Sequence, residues 1–269
     1  MGLHVMMARM VPFQSGCLMT QPLTPKRRSL ARFEGAEAVL SYYPSGHVMA
    51  EHAHECDQRS MILSGGLLEE TPSQTARPTA SHIGFKAAGH KHENRYGPNG
   101  ALILAVNAEP CARPKTPWSW RAAAGAADAA HLVRLMLEAG AEDDQVLIDL
   151  MGVMGEQADT PPGSAPAWLM RVREAVRDDP SDINVQRLAD EAGVHRVHLS
   201  RSYARFYGAP ISLERRRMRL GQAVRSLLEE DASVAEAAQI GGFSDQPHLA
   251  RTLRSEIGLT ATALKAVFD

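Results

Sequence analysis

From about Leu30 to Ala108 the apolar positions come in short runs separated by Gly, Pro and Asn. Examples are Ala38-Val-Leu-Ser-Tyr-Tyr, Ser60-Met-Ile-Leu, His82-Ile-Gly-Phe and Ala101-Leu-Ile-Leu-Ala-Val. Runs this short and this regularly spaced predict the strands of an all-β barrel or sandwich. Between Ala122 and Gln157 the spacing changes. Leu132, Leu135 and Met136, then Val146, Leu147, Leu150 and Met151, recur at i, i+3 and i+4, which predicts two amphipathic helices broken near Gly140. Such helices either cover the barrel or form a dimer contact. Thr160-Pro-Pro-Gly-Ser-Ala-Pro166 suits neither a helix nor a central strand and marks a linker. Everything beyond it reads as helix. Pro166 opens a segment with Leu169, Val172 and Val176 on one face, Asn184 is a helix N-cap, and Ser233 with Glu236 has capping-box spacing. A long helix spans about Leu213 to Glu229.

Among these helices a single pattern occurs twice, from Val185 to Gly208 and from Val234 to Gly258. Each copy is a short helix, a Gly-containing turn and a longer helix closed by glycine. This is the sequence form of a helix-turn-helix, whose second helix enters the DNA major groove. In the first copy Leu199, Tyr203 and Phe206 form the core face, leaving Val197, His198, Ser200, Arg201 and Arg205 outward. In the second, Leu249, Leu253 and Ile257 are core, and Pro247, His248, Arg251 and Arg254 are outward. Arg201 and Arg251 occupy equivalent places, and arginine bonds bidentately to guanine or to phosphate.

The overall charge adds little: a net −2 and a pI near 6.6 give no global basic signal. Locally, seven arginines and one acid, Glu214, lie between Arg196 and Arg219, and Arg216 among them is a candidate phosphate contact. Cys17, Cys56 and Cys111 are odd in number and lack CxxC spacing, so neither a disulfide framework nor a zinc finger is expected. The apolar, Met-rich start is interrupted by Arg9 and Pro12, and no run of about 18 apolar residues follows; a cytoplasmic chain without a membrane span is expected.

The residues Leu188-Ala, Gly193-Val, Leu199-Ser-Arg, Phe206-Tyr-Gly, Arg219-Leu, Gly242-Phe-Ser-Asp-Gln, His248-Leu, Arg251 and Gly258-Leu-Thr resemble the AraC/XylS family of transcriptional regulators over about Trp168 to Asp269. The resemblance implies two recognition helices in successive major grooves, roughly 34 Å apart. It places base contacts on Val197, Ser200 and Arg201, and on Gln246, Pro247 and Arg251. The chain departs from the family where Glu214 and Leu264 replace aromatics, Ala261 replaces proline, and Pro247 replaces a hydrogen-bond donor. The first unit is therefore expected to read sequence and the second chiefly to grip phosphate.

Six of the eleven histidines lie between His47 and His92. Gly46-x5-His52-x-His54-x3-Gln58-x6-Gly65 resembles the first cupin motif, with Gln58 where a glutamate ligand would stand, and Gly89-His-Lys-His92 resembles the core of the second, with Ala87 where proline is common. Histidines at i and i+2 on a strand share a face, and a third from a facing hairpin completes a three-histidine metal site. His52, His54 and His92 are the candidate ligands of a divalent metal or lining of a ligand pocket, with Gln58 a weak neutral fourth and Glu93 an alternative. His82 and His90 are expected at the surface or at strand ends.

The expectation is an α+β chain. It comprises an irregular segment 1–29, a cupin-like sensor barrel 30–110, a helical connector and candidate homodimer contact 111–160, and an all-α double helix-turn-helix domain 161–269. Its expected role is a sequence-specific transcription regulator that binds double-stranded DNA, with a small molecule or metal in the barrel and RNA polymerase as partner if it activates. The rival is a metal-dependent cupin enzyme with an accessory helical domain. It needs open metal positions and a nearby acid or base, and the missing glutamate counts against it.

Overall fold

The computed structural model describes residues 23–33, 35–110, 116–123, 126–139, 144–155, 165–178 and 184–269. The linker expected at 160–166 lies outside them except for its last two residues, as do Cys17, Cys111 and the break near Gly140.

Eight strands form one antiparallel sheet: β1 (Lys26–Phe33), β2 (Ala36–Tyr43), β3 (Val48–His52), β4 (Asp57–Glu70), β5 (Thr75–Ala76), β6 (His82–Lys86), β7 (His92–Ala108) and β8 (Trp118–Ala122). The spatial order is β1-β2-β7-β4-β6-β8, with β3 on the N-terminal stretch of β7 and β5 on the end of β4. All four apolar runs of the sequence fall within strands, namely β2, β4, β6 and β7. Strand β8 was not expected. It lies inside the range 111–160 read as helical, yet it pairs with β6 from His82↔Ala122 to Lys86↔Trp118.

The run Ala101–Val106 is continuously apolar because β7 is covered on both faces. Leu102, Leu104 and Val106 point one way, with Leu40, Tyr42, Met61 and Leu63 from the neighbouring strands, into a core shared with helices. Ile103 points the other way, with Ile62, Leu67 and Tyr96, into the barrel interior. This is the period-two alternation of a pleated strand with two buried sides. The long strands bend where register shifts interrupt β4–β7 pairing around Gly65. Gly65 has φ +74°, and a Cβ there would overlap the Gly100 carbonyl, so only glycine permits the bend.

Helices α1 (Ala126–Ala139) and α2 (Asp144–Gly155) lie where two were predicted. Leu132, Val133, Met136, Val146, Leu147, Leu150 and Met154 are buried in the core shared with the outer face of the barrel. Their apolar faces are thus covered within the chain. The remaining helices are α3 (Ala167–Asp178), α4 (Val185–Glu191), α5 (Arg196–Tyr207), α6 (Ile211–Glu229), α7 (Val234–Ile240), α8 (Gln246–Glu256) and α9 (Ala261–Phe268). Asn184 caps α4 by accepting from the backbone N–H groups of Gln186 and Arg187, and Ser233 and Glu236 close a full capping box on α7, as their spacing predicted. No helix among the described residues is long and apolar enough to cross a membrane.

One polar joint fixes α6 to the barrel. Glu229 accepts from the Tyr42 hydroxyl at 2.8 Å, the Ser45 N–H at 2.7 Å and the Ser45 hydroxyl at 2.9 Å. Charge-assisted bonds of this length to a half-buried carboxylate are stronger than neutral ones.

Candidate functional site

The two helix-turn-helix units are α4–α5 and α7–α8. In α5, Leu199 and Tyr203 are fully buried and Phe206 packs beside them. Val197, His198, Ser200, Arg201 and Arg205 are exposed. His195 caps the helix, its ring accepting from the Val197 N–H, and Gly208 ends it in the left-handed conformation. The His198 ring leans on Trp168, with centroids 5.7 Å apart. In α8, Leu249 and Leu253 are fully buried, as is Ile257 just past its end, and Gln246, Pro247, Arg251 and Arg254 are exposed. Asp245 caps α8 through the His248 N–H. Pro247 falls in the first turn, where a missing N–H costs nothing. The departure from the family pattern is therefore compatible with a well-formed helix. The His248 ring is half-buried, edge-on to Phe243 at 5.2 Å. Arg216 is half exposed and is held by Glu256 at 2.6 Å, so its charge is partly neutralised within the chain.

Glu214, read from sequence only as a departure, is a structural centre. It is buried, accepts from the Tyr203 hydroxyl, and faces Arg173 and Arg177, each with Nε at 3.4 Å. Burial and the Glu214 charge push the Tyr203 hydroxyl pKa upward, keeping it a donor.

The predicted histidines do come together. His52 and His92 are cross-strand partners on β3 and β7, and His54 lies just beyond the end of β3. Their ligand-capable nitrogens all lie within 4.8 Å of one another. His52 Nδ1 bonds the Ala50 carbonyl at 2.9 Å and His92 Nδ1 the His90 carbonyl at 3.1 Å. In the neutral ring each Nε2 is then the lone-pair nitrogen, and both are buried without a hydrogen-bond partner. Backbone carbonyls that fix the tautomer in this way are the usual support of a metal-binding imidazole. Burial first, then neighbouring cationic groups, lower the pKa of His54 and of His92 to about 4, so both are neutral at pH 7. The donor set fits a divalent ion of the zinc type.

Glu93 lies apart from this cluster, whereas Gln58 lines the same cavity as His52 and His54. The Gln58 amide donates to Asn107 at 2.9 Å, and its oxygen accepts from Ser60 and Lys86; Glu93 pairs with Arg95 at 2.8 Å. The acid that does approach the interior is Glu69, which is wholly buried, bridges to Lys86 at 3.3 Å and accepts from the Trp118 indole. No local motif marks Glu69 or Lys86. Glu69 stands beside Glu70 at the end of β4 and Lys86 ends β6, where charges are ordinary. His82 heads β6 as expected but is not a surface residue: it lines a cavity between the barrel and the first helix-turn-helix unit. Its pKa is lowered to about 4 by burial and by Arg173.

Residues 188–266 match the model of a helix-turn-helix domain. Over 78 residues the chain is 31% identical to the probable transcription factor PqrA of Proteus vulgaris, covering 29% of this chain. The chain spans 64% of that relative's length. Among solved structures it is similar to a transcriptional regulator from Chromobacterium violaceum described as having an AraC-type DNA-binding domain (23% identity, 37% of this chain and 89% of that one, TM-score 0.34). It is also similar to KdgF from Halomonas sp. (19% identity, 32% and 81%, TM-score 0.29) and to a cupin superfamily protein from Desulfitobacterium hafniense DCB-2 (17% identity, 34% and 82%, TM-score 0.30). Residues 188–266 of the chain thus form a helix-turn-helix domain.

Proposed function

We propose that the chain is a sequence-specific DNA-binding transcription regulator whose N-terminal barrel is its sensor. The observation that carries this reading is the pair of outward helix faces. Each unit buries its leucines and leaves exposed the arginines that suit base or phosphate contact, Arg201 and Arg205 in one, Arg251 and Arg254 in the other. On this reading α5 and α8 lie in successive major grooves, with Val197, His198, Ser200 and Arg201, and Gln246, Pro247 and Arg251, toward the bases. Arg205, Arg216 and Arg254 contact phosphate. The division of labour is a barrel up to about residue 110, a connector to about 160 and a DNA-binding region beyond it, with strand β8 contributed by the connector. RNA polymerase is the partner if the effect is activation. A homodimer would have to use surface other than the covered faces of α1 and α2, such as the region of the exposed Ile148.

In the barrel, His52, His54 and His92 would hold a divalent metal, which when bound supplies a Lewis-acid point for an oxygen or nitrogen of an effector. The chain's own contribution is to keep His54 and His92 neutral and to bury the Nε2 atoms of His52 and His92 without a hydrogen-bond partner.

The test is a titration of the full chain against its own upstream intergenic DNA and a scrambled duplex at several salt concentrations. Selective binding to the first is expected. Equal, weak, steeply salt-dependent binding to both would leave only phosphate affinity and end the reading. For the metal, elemental analysis of the purified chain and of a His52→Ala, His92→Ala variant is expected to find one ion per chain lost in the variant. An unchanged, sub-stoichiometric content would remove the metal from this reading.

A further inference from the structure

An open groove of about 630 Å³ runs between the connector helix α1 and the junction of α8 with α9. Ala130 and Leu137 from α1, with Leu259 and Ala263 opposite, give it an apolar lining. Its two walls are fixed to one another. Val133 and Met136 of α1 share a core with Leu253, Ile257 and Leu259, so α1 holds a set position beside the second helix-turn-helix unit.

The charged groups along the groove are mostly basic. His131, Arg134 and Arg254 stand against one carboxylate, Glu138. Arg134 approaches that carboxylate only to 3.9 Å, with both side chains more than half exposed, and water and salt weaken such a pair to little. A guanidinium can only donate, so the 2.8 Å bond between Arg134 Nη2 and His131 Nδ1 makes Nδ1 the acceptor and leaves the ring N–H on Nε2. Two guanidiniums and an imidazole N–H, all on exposed residues, thus face an anion outside the chain. A small ligand is held in a concave site that engulfs it; exposed cations in a row suit a polyanion lying across the surface.

We propose that α1 belongs to the DNA interface, with Arg134 and His131 contacting the phosphate backbone beside the phosphate taken by Arg254. The occupant is the duplex that α8 enters, because the groove begins where the exposed face carrying Arg251 and Arg254 ends. The inference rests on the reading of α8 as a groove-entering helix. It gives the connector, whose sequence pointed to a barrel cover or a dimer contact, a hold on DNA of its own. Since α1 shares its core with the outer face of the barrel, the duplex then touches the body that contains the sensor. Phosphate contacts carry no sequence information, so α1 contributes grip and register and leaves selectivity to α5 and α8.

The experiment is a gel-shift titration of the full chain at several salt concentrations on its own upstream intergenic DNA and on a scrambled duplex, with ethylation interference on the first. Arg134→Ala is expected to weaken binding severalfold and equally on both duplexes, and to lower the salt slope by about one. At least one phosphate whose ethylation weakens the parent chain should cease to matter in this variant. Arg134→Lys, which keeps the charge, should restore most of the slope. Lys91→Ala, which removes an exposed charge from the barrel instead, should leave affinity and slope unchanged. Both positions are exposed, so an unchanged thermal midpoint is expected in every variant. A slope and an interference pattern unmoved by Arg134→Ala overturn the proposal and leave the groove to a protein partner. An equal loss in Lys91→Ala overturns it too, reducing the effect to net charge. Selectivity of the parent chain tests the DNA-binding reading, whereas the slope tests α1, so the two failures are distinct.

Discussion

The two helix-turn-helix units share a sequence pattern but rest on different foundations. In the first, Leu188, Ala189, Leu199 and Tyr203 pack with Leu169, Val172 and Val176 of α3 and with Ile211 into a small core of their own. In the second, Ala237, Ala238, Leu249, Leu253 and Ile257 belong to the large core that also holds α1, α2 and the outer face of the barrel. There α1 comes so close that a Cβ on Gly258 would overlap the Ala130 carbonyl. The first unit meets the barrel across a cavity and a polar cluster instead. The same motif thus serves as a fixed piece of the body in one copy and as a separately packed piece in the other. Regions that move draw on small cores and polar contacts, so the first unit is where a signal from the barrel is expected to act.

The strongest way to break this comparison is to cut both cores. Leu253→Ala should lower the stability of the whole chain by about 2–5 kcal/mol, read as a shifted single transition in denaturant. Leu199→Ala should instead remove hydrogen-exchange protection selectively from 167–207 while the barrel amides stay protected. Equal, global loss in both variants would mean one cooperative unit. Next, Glu214→Gln should leave Arg173 and Arg177 without their carboxylate. We expect about 2–3 kcal/mol, less than the about 3–5 of a fully buried pair because both guanidiniums keep some contact with water. The loss should again be confined to the first unit. The same experiment on Glu229→Gln, at the joint with Tyr42 and Ser45, should reach the barrel.

On DNA the units should separate further. Arg201→Ala is expected to cost about 1–3 kcal/mol of discrimination between specific and scrambled duplexes. Arg254→Ala, in the second helix, should weaken both equally and reduce the salt slope by about one. A gel-shift titration showing the reverse would exchange the roles of the two helices. A further effect is with pH. Unfolded His82 takes up a proton near its ordinary value of about 6.5, whereas the folded chain resists until about 4. The unfolded state therefore binds more protons between those values, and the stability held above about pH 6.5 is lost as the pH falls toward 4. His82→Gln should flatten that stretch of the stability–pH curve, measured on metal-free protein.

Much of this was legible in the chain. The strand pattern stood out because both faces of β7 are buried, and the caps at Asn184 and Ser233 are purely local devices. The histidine cluster was also readable, since His52 and His54 belong to one segment and the second motif supplied His92. What could not be read depends on pairs distant in sequence. Glu214 meets Arg173 and Arg177 only because α3 and α6 pack together, and Glu69 meets Lys86 through adjacent strands. The bond from the Gln58 amide to Asn107, 49 residues away, was hidden for the same reason. Strand β8 was missed because it is short and its pairing with β6 carries no local signal.

The Nδ1 bonds of His52 and His92 to backbone carbonyls have a consequence for selectivity. With an Nδ1 proton on the main-chain carbonyl, each neutral ring turns its lone pair to the barrel interior. The chamber at the interface, with its shared Glu214 and surplus guanidiniums, is its electrostatic opposite. A divalent cation suited to those lone pairs is disfavoured beside the paired guanidiniums of the second chamber.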